Sequence, residues 1–177
     1  EITTEEESAE KYSVTTLVTT DGVNVGESIT VYGIEDGSRY IKADIPEDGV
    51  LISSSYATKF LLKEGDVLTL KDKYSDKTYE MRVDGVYDYN GGLSVFMRNS
   101  GFNEMFDLEE ESFTGFLTSG EITDIDEEQI YSVITVDDIM ALSIQLDHSM
   151  GGYMDYLAVA CLLMGVLVIY QIGRAHV

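Results

Sequence analysis

Two histidines, one cysteine and 33 acidic side chains are what this chain offers for chemistry. His176 lies in the last six residues, and Cys161 lies inside an apolar run. A Ser–His or Cys–His nucleophilic pair needs an imidazole beside the nucleophile, and only His148 is left to supply one. No G-x-x-x-x-G-K-[ST] occurs, so the chain builds no P-loop. Asp124-Ile125-Asp126-Glu127-Glu128-Gln129 matches a calcium loop at two positions, but Gln129 stands where an EF-hand loop turns on glycine. Its ordinary reading is a solvated acidic loop. Carboxylate pairs are so plentiful that no single pair marks acid–base catalysis. His148 reads as an interfacial polar residue and Cys161 as a small apolar packing residue. The sequence thus assigns no catalytic, cofactor-binding or metal-binding residue, and an enzyme is the least favoured class.

The acids outnumber 11 Lys+Arg, for a formal net charge of −22. That balance repels nucleic acid and an anionic membrane surface, and it permits a cationic peptide or envelope protein as partner. Its plainest use is solubility. With a single cysteine there is no disulfide within the chain. Residues 1–7 are acidic and show no signal-peptide pattern. A hydrophobic content of 44% suits a globular domain.

The elements that must position any site fall in two parts. Residues 1–134 mix short alternating strands with short helical segments, which implies an α+β domain. Strands are expected over 12–19, 28–34, 50–52, 67–70, 78–87 (with a bulge at Gly85), 93–97, 113–117 and 130–134. Asp21-Gly22, Asp36-Gly37 and the segment around Pro46 are turn signals, and Asn90-Gly91-Gly92 is a hairpin signal. A helix over 53–62 is capped by one of Ser53 to Ser55, turns Ala57, Phe60 and Leu61 to one side, and stops at Gly65. A short helix over 99–107 is built on Phe102, Met105 and Phe106. Thr135 caps a further helix, with Asp137 and Asp138 in its first turn. Along it Ile139, Leu142, Leu146 and Met150 form one apolar stripe.

Residues 156–170 carry no charge, yet fall short of the about 20 residues that span a bilayer. Leu157, Val159, Leu162, Leu163, Val166, Leu167 and Ile169 would lie in the membrane. The hexapeptide 172–177 matches a translated sequencing adapter and is set aside as non-biological. The expected organisation is therefore a domain over 1–134, a stalk helix over 135–155 and a truncated transmembrane helix over 156–171. Asp147 and Asp155, on the near side of the membrane run, favour an outside location for the domain.

Three stretches together resemble a known family. They are Ile29-Thr30-Val31-Tyr32-Gly33-Ile34 with Ser38-Arg39-Tyr40-Ile41, then Gly49-Val50-Leu51-Ile52-Ser53 with Ala57-Thr58-Lys59-Phe60-Leu61-Leu62-Lys63-Glu64-Gly65-Asp66, and finally Ser143-Ile144-Gln145-Leu146-Asp147-His148-Ser149-Met150. This order resembles the extracellular domain and following membrane helix of FtsX-like, MacB-type ABC transporter permeases. The resemblance covers residues 12–171 and implies a small β-rich subdomain over about 50–98. It further implies a cell-membrane protein whose bulk is extracellular, with an ABC ATPase as partner and motion passed from membrane helices to the domain. It implies no cofactor and no catalytic residue. The other binding-class reading is an extracellular module anchored by a single C-terminal helix.

The stripe generates a prediction. If Ile139, Leu142, Leu146 and Met150 pack as a stalk, Leu142→Asp uncouples function from ATP hydrolysis in the full complex and leaves the domain folded. If they are ordinary core, each buried apolar side chain contributes roughly 1.5–3 kcal/mol, and the variant unfolds globally. ATPase rate, function and domain stability on that one variant separate the two, and a wild-type result on all three defeats both.

Overall fold

The computed structural model describes residues 2–20, 25–138, 161, 162 and 164. It divides into unit 1, Glu1–Ile125, and unit 2, Asp126–Val177. Unit 1 is α+β, as the sequence pattern implies. Its strands are β1 (Glu10–Thr19), β2 (Ser28–Ile34), β3 (Leu51–Ser53), β4 (Val67–Asp72), β5 (Thr78–Arg82), β6 (Gly85–Tyr87), β7 (Ser94–Arg98) and β8 (Gly115–Leu117). Two helices, α1 (Ser54–Phe60) and α2 (Asn99–Met105), complete it. The strands form one sheet in the order β5-β4-β1-β2-β7-β3-β6, with β8 also on β1.

Period-two patterning gives this sheet two unlike faces. In β1 and β2, Leu17 lies opposite Ile29, and Thr15 opposite Val31. Leu17, Ile29 and Val31 face the main core with Ile52, Leu68, Leu70, Met81, Val95 and Met97. Tyr56 of α1 and Phe102 of α2 roof that core. The other face carries Ile34, Leu51 and Phe96, with Tyr12, Tyr32, Tyr87 and Tyr89 around them.

Local chemistry accounts for the helices. Ser53 is the N-cap of α1 and accepts from the Tyr56 amide at 3.2 Å. A cap of this kind stabilises by about 1 kcal/mol. The same hydroxyl donates to the Gly92 carbonyl and accepts from the Ser94 amide, so one side chain joins α1 to the lead into β7. The end of α1 differs from the expectation. Leu61, not a glycine, adopts the left-handed C-cap conformation at φ 56°, and it is 87% exposed instead of facing the core. Tyr56 takes the buried position, while Gly65 lies in the following turn.

Three expected strand features are corrected. Residues 78–87 are not one bulged strand: they break at Val83-Asp84 into β5 and β6, which lie at opposite edges of the sheet. Both sides of the break are tied elsewhere, the Val83 amide to the Asp66 carbonyl and the Asp84 amide to the Val50 carbonyl. Asn90-Gly91-Gly92 is not a hairpin turn, because β3 lies between β6 and β7 and takes the bonding edges of both. Residues 130–134 form no strand among the described residues. A β-branched run becomes a strand only against a partner, and Tyr131, Val133 and Ile134 stand exposed. In unit 2, Glu127–Gln129 is a single 3-10 turn. The Thr135 cap is present: its hydroxyl accepts from the Asp138 amide, and Asp138 accepts from the Thr135 amide. Asp21-Gly22 lies outside the described residues.

Gly33 lets α2 lie directly on β2. A Cβ there would sit 2.7 Å from Asn99 Oδ1 and 2.8 Å from Phe102 Cβ. Phe102 Cβ is fixed by helix backbone and cannot yield. Gly33→Ala is therefore expected to destabilise unit 1 by about 1–3 kcal/mol, as overpacking does. Denaturant unfolding checks it, and an unchanged midpoint would contradict the close approach.

Candidate functional site

The described chain concentrates its polar side-chain contacts at one end of β1. The segment leading into β1 is tied to the segment that leaves β8. Thr4 Oγ1 donates to Asp124 Oδ1 at 2.7 Å, and the Glu5 amide donates to Asp124 Oδ2 at 2.5 Å. The Ser8 and Thr118 hydroxyls are 2.9 Å apart. Between these points β1 and β8 pair antiparallel, Glu10 with Leu117 and Tyr12 with Gly115. Lys11 lies over the Phe113 ring at 4.9 Å. Chain arriving at unit 1 and chain leaving it thus run side by side as a short stem. The Thr4 hydroxyl and the Glu5 amide hold the Asp124 carboxyl below its ordinary range. Of the acidic stretch that matched a calcium loop at two positions, Asp124 clamps the stem. Among the described residues no cluster of histidine, cysteine and carboxylate ligands is placed to hold a metal ion.

The same segment grips a second one. Residues 35–50 join no β ladder, yet Ile41, Ala43 and Ile45 pack on the aromatic face while Lys42 and Asp44 point outward. Glu10, 8% exposed, is the anchor. Its carboxylate accepts from Ser38 Oγ at 2.6 Å, the Arg39 amide at 3.0 Å and Arg39 Nε at 2.8 Å. Arg39 Nη2 donates to the Glu7 carbonyl, and the Tyr40 hydroxyl donates to the Ser8 carbonyl at 2.7 Å. Burial pushes the Glu10 carboxyl up, but the Ser38 hydroxyl and the two Arg39 donors outweigh it, and its pKa falls below the ordinary glutamate value. On β7, Arg98 holds both ends of the segment, with Nε to the Ile45 carbonyl at 3.1 Å and Nη1 to Asp36 at 3.2 Å.

Beneath it the aromatic rings meet at defined angles. Phe96 stacks on Tyr32 at 5.4 Å and takes Tyr87 and Tyr89 edge-on at 5.3 and 5.6 Å. Burial, together with the nearby Tyr89 and Tyr12 hydroxyls, raises the Tyr32 pKa.

The sequence reading missed this arrangement. Ser38, Arg39 and Tyr40 were conspicuous only as part of a family resemblance, and nothing local marks Glu10 as their partner. The stripe Ile139, Leu142, Leu146 and Met150 lies outside the described residues, as does His148. So do Leu157, Val159, Leu163, Val166, Leu167 and Ile169. Leu162 is helical and 69% exposed, and Cys161 is exposed. Among the described residues no helix is long and apolar enough to cross a membrane.

Neither a protein-family model nor a curated protein matches the chain. Two solved structures are similar to it. One is the extracellular domain of the noncanonic ABC-type transporter YknZ from Gram-positive bacteria. It has 15% identity and a TM-score of 0.46, over 65% of this chain and 66% of that one. The other is the periplasmic region of MacB from Actinobacillus actinomycetemcomitans, with 15% identity and a TM-score of 0.46, over 83% of this chain and 70% of that one.

The Glu10 anchor predicts a pH dependence of known sign. A carboxyl whose pKa is lowered on folding contributes stability above its unfolded pKa and loses it as pH falls through the folded value. Glu10→Gln should therefore be less stable than wild type at neutral pH, and the gap should close as pH falls below about 4.5. Asp124 and the other shifted carboxyls titrate in both proteins and drop out of the difference. Urea midpoints at pH 7 and pH 3 provide the check, and a gap independent of pH would contradict the assignment.

Proposed function

We propose that this chain is the extracellular domain and following membrane helix of an ABC transporter permease of the MacB type. One observation carries the reading: unit 1 takes in the chain and hands it back at one place. Close ends, common in domains, also suit one held in a loop between two membrane helices. The stem brings them together through the β1–β8 pair and the Thr4, Glu5 and Asp124 clamp. The sequence supports the rest of the scheme. Residues 135–155 form the stalk, with Ile139, Leu142, Leu146 and Met150 as its packing stripe. Residues 156–171 enter the bilayer through Leu157, Val159, Leu162, Leu163, Val166, Leu167 and Ile169.

In this scheme the chemistry belongs to a partner ATPase at the cytoplasmic side of the membrane. Nucleotide-driven movement of the helices reaches the stem as a change in the separation or tilt of its two strands. The sheet passes that change on, because β1 is bonded on both edges. What is exported or released is a lipid, a peptide or an envelope factor. The surplus of acidic side chains favours a cationic one.

Tyr74, 90% exposed at the β4–β5 turn, gives the test. In a Cys161→Ser background, Tyr74→Cys should react with a membrane-impermeant maleimide on intact cells. The same protein should copurify with an ABC ATPase. Labelling only after lysis would place the domain inside and overturn the proposal. Labelling without an ATPase would favour a singly anchored binding module.

A further inference from the structure

We propose that residues 38–45 are a latched strap over the aromatic face, hinged on Arg98 and released when the stem at the start of β1 shifts. The inference stands on the geometry of unit 1 alone and holds whatever the protein transports.

The strap has the burial of a strand without a strand's bonds. Ile41, Ala43 and Ile45 face inward and Lys42 and Asp44 outward, yet no ladder pairing includes any of them among the described residues. A segment in a ladder is held by a row of backbone bonds, and its opening must break them in series. This one is held mainly by side chains, at two places. At the first, Arg98 binds the Asp36 carboxylate and the Ile45 carbonyl, so both ends of the segment are pinned to β7, which sits in the middle of the sheet. At the second, the partners belong to the stem: the Glu7 and Ser8 carbonyls just before β1, the Glu10 carboxylate on its first residue, and Ser119 beyond β8, which the Tyr40 hydroxyl also meets. One set of contacts is anchored to the rigid centre. The other is anchored to the chain that also forms the stem. A small displacement of that segment pulls Glu10 and Ser8 away from Ser38, Arg39 and Tyr40 together, while Arg98 keeps the strap attached.

Release would uncover apolar surface already arranged to receive it. Ile34, Leu51 and Phe96 are buried under Ile41, Ala43 and Ile45, and Tyr12, Tyr32, Tyr87 and Tyr89 stand half-buried around them. Burial of the three strap side chains favours the closed state; the Glu10 hydrogen bonds set how often it opens. The strap is thus an element with two states whose balance is set at the stem.

Hydrogen exchange on the full chain tests this. Glu10→Gln keeps the side-chain shape and removes the charge that holds three donors. Tyr40→Phe removes the hydroxyl that bonds Ser8 and Ser119. Exchange across residues 38–45 should rise by about tenfold or more in Glu10→Gln, and less in Tyr40→Phe. The rise must include Ala43 and Ile45, whose amides Glu10 does not touch, and in both proteins the strap must exchange faster than β2 and β7, so that its opening is local. Unchanged exchange over the strap overturns the proposal. A rise confined to Arg39 overturns it too, because the latch would then hold one amide and not the segment. Exchange across the strap no faster than in β2 and β7 would make its opening part of global unfolding, which also overturns the proposal.

Discussion

Strand β1 is hydrogen-bonded along both edges, and the rest of unit 1 depends on that register. One edge pairs with β2 from Tyr12 to Val18; the other is shared, β8 taking its first residues and β4 its last. A strand so placed cannot slip by one residue without turning every side chain to the opposite face. Here a slip would take Leu17 out of the main core and Tyr12 off the aromatic face. It would also carry Glu10 away from Ser38 and Arg39. The pairing that builds the core therefore also sets the position of the carboxylate that holds residues 38–45.

What was legible in the sequence is what short-range physics decides. The alternation of Ile29 and Val31 with their polar neighbours marks β2, and Ser53 marks the start of α1. Phe102, Met105 and Phe106 mark α2, and Thr135 with Asp138 marks a capping box. The α+β class follows from the mixture of such signals. What was not legible is pairing at a distance. Residues 78–87 alternate without interruption, and only bonds from Val50 and Asp66 show why the chain breaks there to reach both edges of one sheet. Asn90-Gly91-Gly92 has hairpin composition, but the three residues of β3 intervene. The candidate site was hidden for the same reason. Glu10 and Arg39, like Thr4 and Asp124, are unremarkable residues until the fold sets them side by side.

The described residues are poor in reactive side chains and rich in mechanical connections, and the two properties fit one scheme. Carboxylates here bind backbone amides, hydroxyls and guanidinium groups: Asp124 closes the stem, Glu10 holds the strap, Asp84 accepts from the Val50 amide. Each fixes one segment of chain relative to another. A domain that receives movement at its base and changes its surface elsewhere needs such fixings, placed so that the base and the surface share a segment. Residues 4–10 are that shared segment.

The central claim is that this domain belongs to a polytopic permease, and the genomic sequence of its locus tests it most directly. The predicted result is one reading frame that holds this domain and several apolar runs of about 20 residues each. A frame with a single such run would contradict the account and leave a singly anchored extracellular module.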